Sequence, residues 1–471
     1  MRFGAFFLIF FVFPPLALNA ASKDIDLLDA NLVAKLHLAD VAKDGQMVGA
    51  YVVSFRPQKG RSVRRVTALL NPGLTFVKAD AGRKRLSATS TIAPVAGLDM
   101  LELNVIEIDL GKTLTGTNRI DIALHYRGYL EELSWTGLSG VKETLSPEFT
   151  MLRAQSFAYP VFAEPNIAAI KKAWADDSFL QFADITLPGA NEIVGSLTTG
   201  DKTIIEAQTK TTLKSRRPSK AMALAIGPYQ TTSAGPVMVS LLSSSDISTA
   251  RTLLDATATE VRATERLLGA PTSGAKLNII EVPDGYGNSA VAGAIFRESS
   301  FFQEPAVTPD IKKAVGNLWK SNNAGKAGNW SNGLDRVTDV LISNPDMAAE
   351  HQMMLFGTGK QLFASQKNLN KTALEDYVIE GFASESDDIS ALAFATLHAV
   401  LGRDDFFKMV RGLRAETSAG YTDMTTVAEF LQKNLGNKKA RKFAKNWFSG
   451  TNAGKDMAKA KSFSDLVKRY S

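Results

Sequence analysis

The feature that most constrains the fold of this chain is a change in hydrophobic periodicity near residue 245. Before this point apolar residues recur at every second position, as in 101–108 and 118–126, which is typical of half-buried β-strands. After it they recur at helical spacing, as in 248–268, a predicted helix that Gly269 ends. The chain therefore predicts an α+β protein with a β-rich N-terminal half and a helix-rich C-terminal half.

The same patterns place individual elements. The predicted strands, whose number favours a sheet sandwich, are 31–38, 49–55, 101–108, 118–126, 182–187, 222–226 and, beyond the change of pattern, 277–282. The predicted helices after 248–268 are 311–321, 334–341, 347–356, 389–401, 404–413, 425–435 and 438–448. Since 471 residues exceed one ordinary core, we predict two domains, 22–242 and 243–471.

The first residues have the pattern of a secretory leader. Arg2 precedes an apolar run over 6–18 that two prolines interrupt, and small residues around Ala20 offer a cleavage site. We assign 1–21 to a signal peptide, cut after Ala20 or nearby, and expect an exported, periplasmic protein. An uncleaved anchor is the alternative, but a membrane span needs about 20 apolar residues. No later segment of the sequence is apolar enough to span, so we expect no integral membrane segment after cleavage.

Composition excludes several kinds of chemistry. The chain has no cysteine, which excludes disulfides, thiolate nucleophiles and sulfur-bound metals. None of its four histidines lies within four residues of another, and the sequence has no nucleophile elbow or Walker A motif. The formal charge is only +6, and we expect no nucleic acid partner. The densest basic cluster fits the solvated face of a helix better than a patch for anionic lipid or nucleic acid; it comprises Lys438, Lys439, Arg441, Lys442 and Lys445.

Several short motifs follow one another in a recognisable order. They are His-Tyr-Arg-Gly at 125–128, Tyr-Pro-Val-Phe-Ala-Glu-Pro at 159–165, Ala-Leu-Ala-Ile-Gly-Pro-Tyr at 223–229, Leu-Gly-Ala-Pro at 268–271 and Trp-Phe at 447–448. In this order and spacing they resemble the M1 (gluzincin) aminopeptidase family. The resemblance implies an N-terminal β-sandwich or saddle domain followed by a thermolysin-like, mostly helical domain.

The zinc site of the resembled family is missing. The family carries His-Glu-x-x-His on a helix, where two histidines one turn apart bind zinc and the glutamate activates water. With Trp319 as the anchor of the alignment, the resemblance places these site positions on Lys313 and Asn317 for the histidines, Ala314 for the glutamate and Asn332 for the third ligand. A lysine ammonium has no lone pair, alanine takes no proton, and neutral amides bind zinc poorly. We therefore expect no zinc and no other cofactor.

Other parts of the family site are also missing. The Gly-x-Met-Glu-Asn strand would fall near 285–295, where the nearest acid, Glu298, comes too late in the chain to be the glutamate of this motif. The Glu380-Gly381 pair resembles the family's third-ligand motif but lies too late in the chain to supply that ligand. The oxyanion-stabilising tyrosine would fall near Asp387, with Tyr377 too far upstream to replace it. As residues lining the substrate cleft we predict Tyr286, Asn288, Trp319 and Lys320.

Helical spacing adds one hypothesis about Lys313. It places Lys313, Asn317 and Lys320 on a polar face, opposite a packed face of Ile311, Val315, Leu318 and Trp319. Lys313 would then put a positive charge roughly where the family holds zinc and attract a carboxylate. The alternative, which we favour, is an exposed lysine in a solvated groove.

The remaining candidates for chemistry favour structural roles. His351 follows Glu350 on a predicted helix, but a surface or structural role fits it better than general base catalysis. His125 and His398 fit packed or capping positions. The Asp387-Asp388 pair suits a helix N-terminus better than a divalent cation.

Two functions are compatible with these residues. The one we favour is a pseudo-peptidase that binds a peptide or protein ligand without cleaving it. The alternative is a hydrolase or peptidase with an unrecognised non-zinc site. The absence of a thiol, of paired histidines and of a nucleophile motif favours the first.

The leader makes a direct prediction about the mature protein. Protein purified from the native host should begin near Ala21, because the apolar run and the small residues after it are typical of a cleaved signal peptide. N-terminal sequencing measures this directly. A sequence that begins at Met1 contradicts cleavage.

Overall fold

The structure of the protein is a computed structural model, which describes twelve segments of the chain. These are 25–38, 45–58, 60–133, 144–176, 179–189, 191–215, 218–272, 274–320, 330–344, 346–377, 382–417 and 423–471. The predicted leader and the Glu380-Gly381 pair lie outside them.

The N-terminal half is built from strands, with one α-helix and one 3₁₀ turn (Ala154–Ser156) among the described residues. In chain order these elements are β1 (Ile25–His37), β2 (Gln46–Pro57), β3 (Ser62–Leu70), β4 (Leu74–Ala81), β5 (Lys84–Arg85), β6 (Ser87–Val95), β7 (Leu98–Thr115), β8 (Ile120–Gly128), β9 (Thr150–Arg153), α1 (Ile167–Asp176), β10 (Leu180–Pro188), β11 (Glu192–Gly195), β12 (Thr198–Ile205), β13 (Gln208–Lys214) and β14 (Ala223–Gly227). The six strands predicted for this half are all present, with ends that differ by up to seven residues, and the other eight described strands were not predicted.

Eight of these strands form one mixed sheet in the order β12-β13-β10-β1-β2-β8-β4-β5, and β3, β7 and β6 form another. Strand β1 pairs antiparallel with β2 and parallel with β10. Alternating burial along β1 places Leu32, Ala34 and Leu36 in the core and exposes Val33 and Lys35. Side chains from both sheets share one apolar core, as expected for a sandwich. A third, small sheet has the order β11-β14-β9.

The C-terminal half combines a five-stranded sheet with a helical bundle. Its elements are β15 (Tyr229–Ala234), β16 (Val237–Leu242), α2 (Ile247–Leu268), β17 (Leu277–Val282), β18 (Ser289–Val291), β19 (Ala294–Glu298), α3 (Pro309–Gly316), α4 (Trp330–Ser343), α5 (Ala349–Ser365), α6 (Ala383–Leu401), α7 (Arg403–Thr417), α8 (Met424–Asn434), α9 (Lys438–Trp447), α10 (Ala453–Lys459) and α11 (Phe463–Lys468). Short 3₁₀ turns lie at Ser299–Gln303, Asn317–Trp319, Leu369–Lys371 and Leu374–Asp376.

Strands β15 and β16 lie before the predicted domain boundary at 242–243 but pair outside the N-terminal sheets. Strands β15 and β16 belong to the second half, because β16 pairs in parallel with β17 in a sheet of order β15-β16-β17-β19-β18. The change of sheet falls between Gly227, which ends β14, and Tyr229, which begins β15. Period-two alternation is a local signal and does not reveal which strand is the partner.

The helices confirm the predicted pattern with one informative exception. Helix α2 ends at Gly269, whose φ of 79° suits glycine at a C-terminal cap. The predicted helix 311–321 is shorter than expected: α3 ends at Gly316, the 3₁₀ turn Asn317–Trp319 follows, and Lys320 is extended. The apolar face was predicted correctly, because four side chains of this segment are at most 2% exposed, namely Ile311, Val315, Leu318 and Trp319.

Helix α6 is the centre of the bundle. Its side chains Ile389, Leu392, Phe394 and Leu397 point in different directions around the helix, and all have 0% exposure. Helices α4, α5, α7 and α9 pack against it and account for this burial. None of the helices in the described part of the chain is both long and apolar enough to cross a bilayer.

The contact between α4 and α6 requires a glycine. A Cβ built on Gly333 would lie 2.6 Å from the backbone nitrogen of Ala391 and still closer to Ser390 Oγ. Gly333→Ala should therefore lower the free energy of unfolding by about 1–3 kcal/mol through overpacking. Chemical denaturation of both proteins measures the difference.

A matched control exists on α5. A Cβ on Gly357 would meet nothing within 4 Å. Gly357→Ala should leave stability unchanged or raise it by up to about 1 kcal/mol, the gain in helix propensity. Equal effects of the two substitutions would contradict the close helix contact.

Candidate functional site

The candidate site lies around α3, α4 and the hairpin of β18 and β19. Strand β18 is the outer strand of the second sheet and pairs only with β19 among the described strands. The loop before it is held by one carboxylate, since Glu298 Oε1 accepts hydrogen bonds from the backbone N–H groups of Gly285 and Gly287, each at 2.9 Å. Both glycines have positive φ, at 95° and 76°. Glu298, the acid nearest to the missing Met-Glu motif, therefore holds the backbone of this loop.

Two of the predicted cleft-lining residues are instead packed inside the protein. Tyr286 is 6% exposed, its ring contacts Phe149 at 4.5 Å, and its carbonyl oxygen accepts a bond of 2.9 Å from the buried Arg153 guanidinium. Trp319 is 1% exposed and donates its indole N–H to the carbonyl oxygen of Gly269 at 2.7 Å. Large aromatic rings gain free energy from burial, which accounts for the low exposure of both side chains.

The other two predicted cleft residues are more accessible. Asn288 lines a shallow depression along β18, together with Ser289, Ala290 and the ion pair of Arg297 and Asp310. Lys320, which follows the 3₁₀ turn, is half-buried.

The four positions aligned with the zinc site have different surroundings. Lys313 is exposed, whereas Ala314 and Asn317 line a cavity of about 190 Å³. Asn332, on the first turn of α4, is exposed and donates to the Asp387 carboxylate at 3.2 and 3.3 Å. The structure thus brings Asn332 next to the residue at which the resemblance placed the oxyanion tyrosine.

The cavity lies between the two halves of the chain. One wall comes from α3 and the strands of the second sheet, and the other from the segment around β11 and β12. Among the described lining residues the ionisable side chain is Lys276, while the polar remainder is neutral: Ser196, Thr198, Thr199, Ser215, Ser219, Asn278 and Asn317. Ser219 is 6% exposed, and its hydroxyl has no hydrogen-bond partner in the described structure.

Acidic side chains on α4 lie on the other side of α3. Asp335 is buried and accepts a bond of 3.0 Å from the Arg414 guanidinium. Burial raises the pKa of Asp339, and this rise is opposed by the nearby charges of Lys320, Arg414 and Lys313. The charge of Lys313 is therefore partly balanced by Asp339. The favoured alternative of an exposed lysine fits this environment better than a lysine that replaces zinc.

These donors do not fit a zinc ion. Lys313 and Ala314 offer no lone pair at neutral pH, and Asn317 and Asn332 offer neutral amides that zinc binds poorly. Within the described residues no group of three or more His, Asp or Glu side chains is arranged to hold a metal. No hydrolytic step through zinc can be derived from these residues.

The histidines described here lie apart from this site. His125 on β8 is 3.4 Å from Asp80, and burial lowers its pKa. His398 on α6 contacts the Phe406 ring at 5.2 Å, and burial likewise lowers its pKa. His351 is exposed on α5. These contacts agree with the structural roles predicted for all three.

No protein-family model matches the sequence, and no curated protein does either. Solved structures do share the fold. The M1 zinc metallopeptidase from Deinococcus radiodurans superposes with a TM-score of 0.51 at 14% identity over 92% of this chain and 95% of that chain. LTA4 hydrolase from yeast gives a TM-score of 0.51 at 11% identity over 91% of this chain and 68% of that chain.

The protein therefore has the two-domain fold of the M1 zinc metallopeptidases, which confirms the predicted fold class and the resemblance. A further solved relative, a point mutant of a two-domain M1 zinc metallopeptidase bound to L-arginine, gives a TM-score of 0.50 at 14% identity over 91% of this chain and 94% of that chain. At these identities the likeness establishes the fold alone.

The cavity wall supplied by the N-terminal half was not predicted. Its residues, from Ile193 to Thr199 with Ser215 and Ser219, are small, and most are neutral and polar. Such residues carry no distinctive spacing. Strand β11 pairs with β14 and contacts β17, and these tertiary contacts place the N-terminal wall of the cavity opposite α3.

The site also predicts how stability depends on pH. Burial raises the pKa of Asp387 to about 6, although the hydrogen bond from Asn332 opposes the rise. An unfolded aspartate has a pKa of about 3.9, so the unfolded state ionises first as the pH rises, and folding stability falls between about pH 4 and pH 6. Asp387→Asn removes this penalty.

Asp387→Asn should therefore match the wild type near pH 4 and exceed its free energy of unfolding by about 1–3 kcal/mol at pH 8. Urea denaturation at both pH values measures the effect. A gain in the free energy of unfolding that is the same at both pH values contradicts a raised pKa of Asp387.

Proposed function

We propose that this chain is an exported protein of M1 peptidase fold that has no zinc-dependent hydrolytic activity and binds a peptide or protein ligand between its two halves. The observation that carries the proposal is local. At the positions where the resembled family holds metal and base, the chain presents Ala314 and Asn317 to a cavity rather than a metal-ligating set.

The cavity supports a polar, peptide-like ligand. Its lining is rich in hydroxyl and amide groups, and these match the donors and acceptors of a peptide backbone. The turn between β18 and β19 contributes Ala292 and Gly293 to the same cavity. A bound amino acid in a relative of the same fold, L-arginine, agrees with a ligand of this class.

Strand β18 supports an extended ligand in particular. It is an outer strand, and its Ala290 side chain is exposed. An exposed sheet edge binds extended peptides through backbone hydrogen bonds, with side-chain pockets adding specificity. The second depression, at Asn288, Ser289 and Ala290, runs along this strand. Since β18 (Ser289–Val291) carries no acidic side chain that could hold a terminal amine, we propose recognition of internal peptide segments.

A working hydrolase with a non-zinc site is the second candidate. One observation favours it: burial raises the pKa of Asp387 to about 6, and a carboxyl group with a pKa in this range is suited to proton transfer near neutral pH. A nucleophile beside Asp387 has not been identified among the described residues. We therefore place this function second.

Export rests on the leader described above. The apolar run over 6–18 and the small residues around Ala20 support delivery across a membrane, and a periplasm is the destination that we propose.

The test combines metal analysis, cleavage and binding on the purified protein. We expect less than about 0.1 zinc per chain and no cleavage of a peptide library, because the available side chains are poor zinc ligands. We also expect peptides to be retained in a binding screen. Stoichiometric zinc overturns the proposal, and metal-free cleavage favours the second candidate.

A pair of neighbouring substitutions locates the ligand. Ala314→Phe should fill the cavity and weaken peptide binding by at least about tenfold, since a blocked pocket excludes the ligand. Lys313→Ala changes an exposed neighbour and should leave the affinity unchanged. Equal peptide affinities of the wild type and both variants contradict binding in this cavity. A loss of peptide affinity in Lys313→Ala alone restores the hypothesis that this lysine takes the place of zinc.

A further inference from the structure

The C-terminal helices carry a concentrated positive charge that the proposed ligand site does not use. Residues 433–471 contain eleven Lys and Arg and two Asp, a formal charge of +9. Since the whole chain has a formal charge of +6, the preceding residues sum to −3. The excess charge of the protein is thus confined to the last turn of α8 and to α9, α10, α11 and their connections.

The cations of α9 lie on one face and are all exposed. At helical spacing its five basic residues share the side opposite four buried residues; the basic residues are Lys438, Lys439, Arg441, Lys442 and Lys445. The buried residues are Ala440, Phe443, Ala444 and Trp447. The apolar face fixes the helix on the bundle and directs all five charges outward.

The two acids of this region are engaged elsewhere. Asp456 accepts hydrogen bonds from the Trp447 indole at 3.1 Å and from the Tyr470 hydroxyl at 2.5 Å. Asp465 accepts from the backbone N–H of Lys461 at 3.2 Å. Over the described residues, no ion pair involves a side chain from 433–471. The positive face is therefore not neutralised within the chain.

Helix stability does not explain this arrangement. Lys438 and Lys439 occupy the first turn, where the helix dipole favours acids and disfavours cations. Lys438 with Lys442, and Arg441 with Lys445, are like charges four residues apart, and such pairs destabilise a helix. An external anionic surface would remove both sources of repulsion.

We propose that the exposed face of α9 is a docking surface for an anionic phospholipid bilayer. Four of its five cations are lysines, which act as point charges and need no matched geometry. Proteins that bind single-stranded nucleic acid stack its bases on aromatic side chains, and both aromatic residues of α9, Phe443 and Trp447, are buried. The face carries no exposed apolar side chain for insertion, so attachment is electrostatic and reversible.

The experiment is co-sedimentation of the full chain with vesicles. Vesicles of phosphatidylcholine with about 30% phosphatidylglycerol should bind the protein at low salt and release it in 0.5 M NaCl, because screening shortens the Debye length to a few ångströms. Pure phosphatidylcholine vesicles should not bind. The triple variant Lys438→Gln, Lys442→Gln, Lys445→Gln should partition about 100-fold more weakly, since each lysine near an anionic surface contributes about fivefold.

Two further triple variants make the result specific. Replacing Lys35, Lys112 and Lys210 by Gln removes the same charge from exposed positions in the N-terminal sheets and should leave vesicle binding within about twofold of wild type. Replacing Lys438, Lys442 and Lys445 by Arg preserves the charge and should retain binding, which separates charge from folding if the Gln variant is unstable.

Three outcomes overturn the proposal. The first is equal binding of the wild type to neutral and anionic vesicles. The second is an equal loss of vesicle binding in both Gln variants. The third is wild-type binding to duplex DNA or RNA that is tighter than its binding to anionic vesicles and that the α9 Gln variant abolishes. The last outcome would assign the surface to nucleic acid. None of these outcomes bears on peptide binding at the cavity, so the two proposals succeed or fail separately.

Discussion

The candidate site depends on an apolar cluster that joins the two halves of the chain. It includes Met151 and Ala225 from the small N-terminal sheet and Ile280 and Phe296 from the second sheet, and all four have 0% exposure. Arg153 crosses the same junction and donates to the carbonyl oxygen of Tyr286. Because a buried apolar contact and a buried charged donor resist separation, the wall around β11 is held against α3. The cavity is a consequence of this junction rather than of any single element.

The fold and the site in this protein are specified by different residues of the same elements. Helix α3 keeps an apolar face, Ile311 and Val315, that packs on α2 and the sheet, while its other face carries Lys313 and Ala314. Burial of the first face stabilises the helix whatever occupies the second. For this reason a chain only 14% identical to a zinc metallopeptidase can share its architecture.

Local signals in the sequence were sufficient for seven of the strands and for most of the helices. The bounds of α2 followed from its periodicity and from Gly269, and the strand Leu277–Val282 was predicted to the residue. Relations between distant residues were not predictable. Strands β15 and β16 alternate like those before them, so nothing local assigned them to the second sheet. The burial of Tyr286 depends on Phe149 and Arg153, more than 100 residues earlier in the chain. Likewise, Ser219 and Ala314 line one cavity only because the sheets bring them together.

The bond between Glu298 and the loop at Gly285 and Gly287 has a consequence for recognition. Both glycines have positive φ, and glycine has more backbone freedom than other residues when nothing restrains it. If this loop became ordered only when a ligand bound, the lost conformational entropy would reduce the affinity. Here one carboxylate oxygen holds both glycines in place by two backbone hydrogen bonds before any ligand arrives. The approach to β18 is thus preorganised, and a ligand meets a surface whose shape is already set. In this protein a single acid, Glu298, contributes rigidity next to the proposed binding edge.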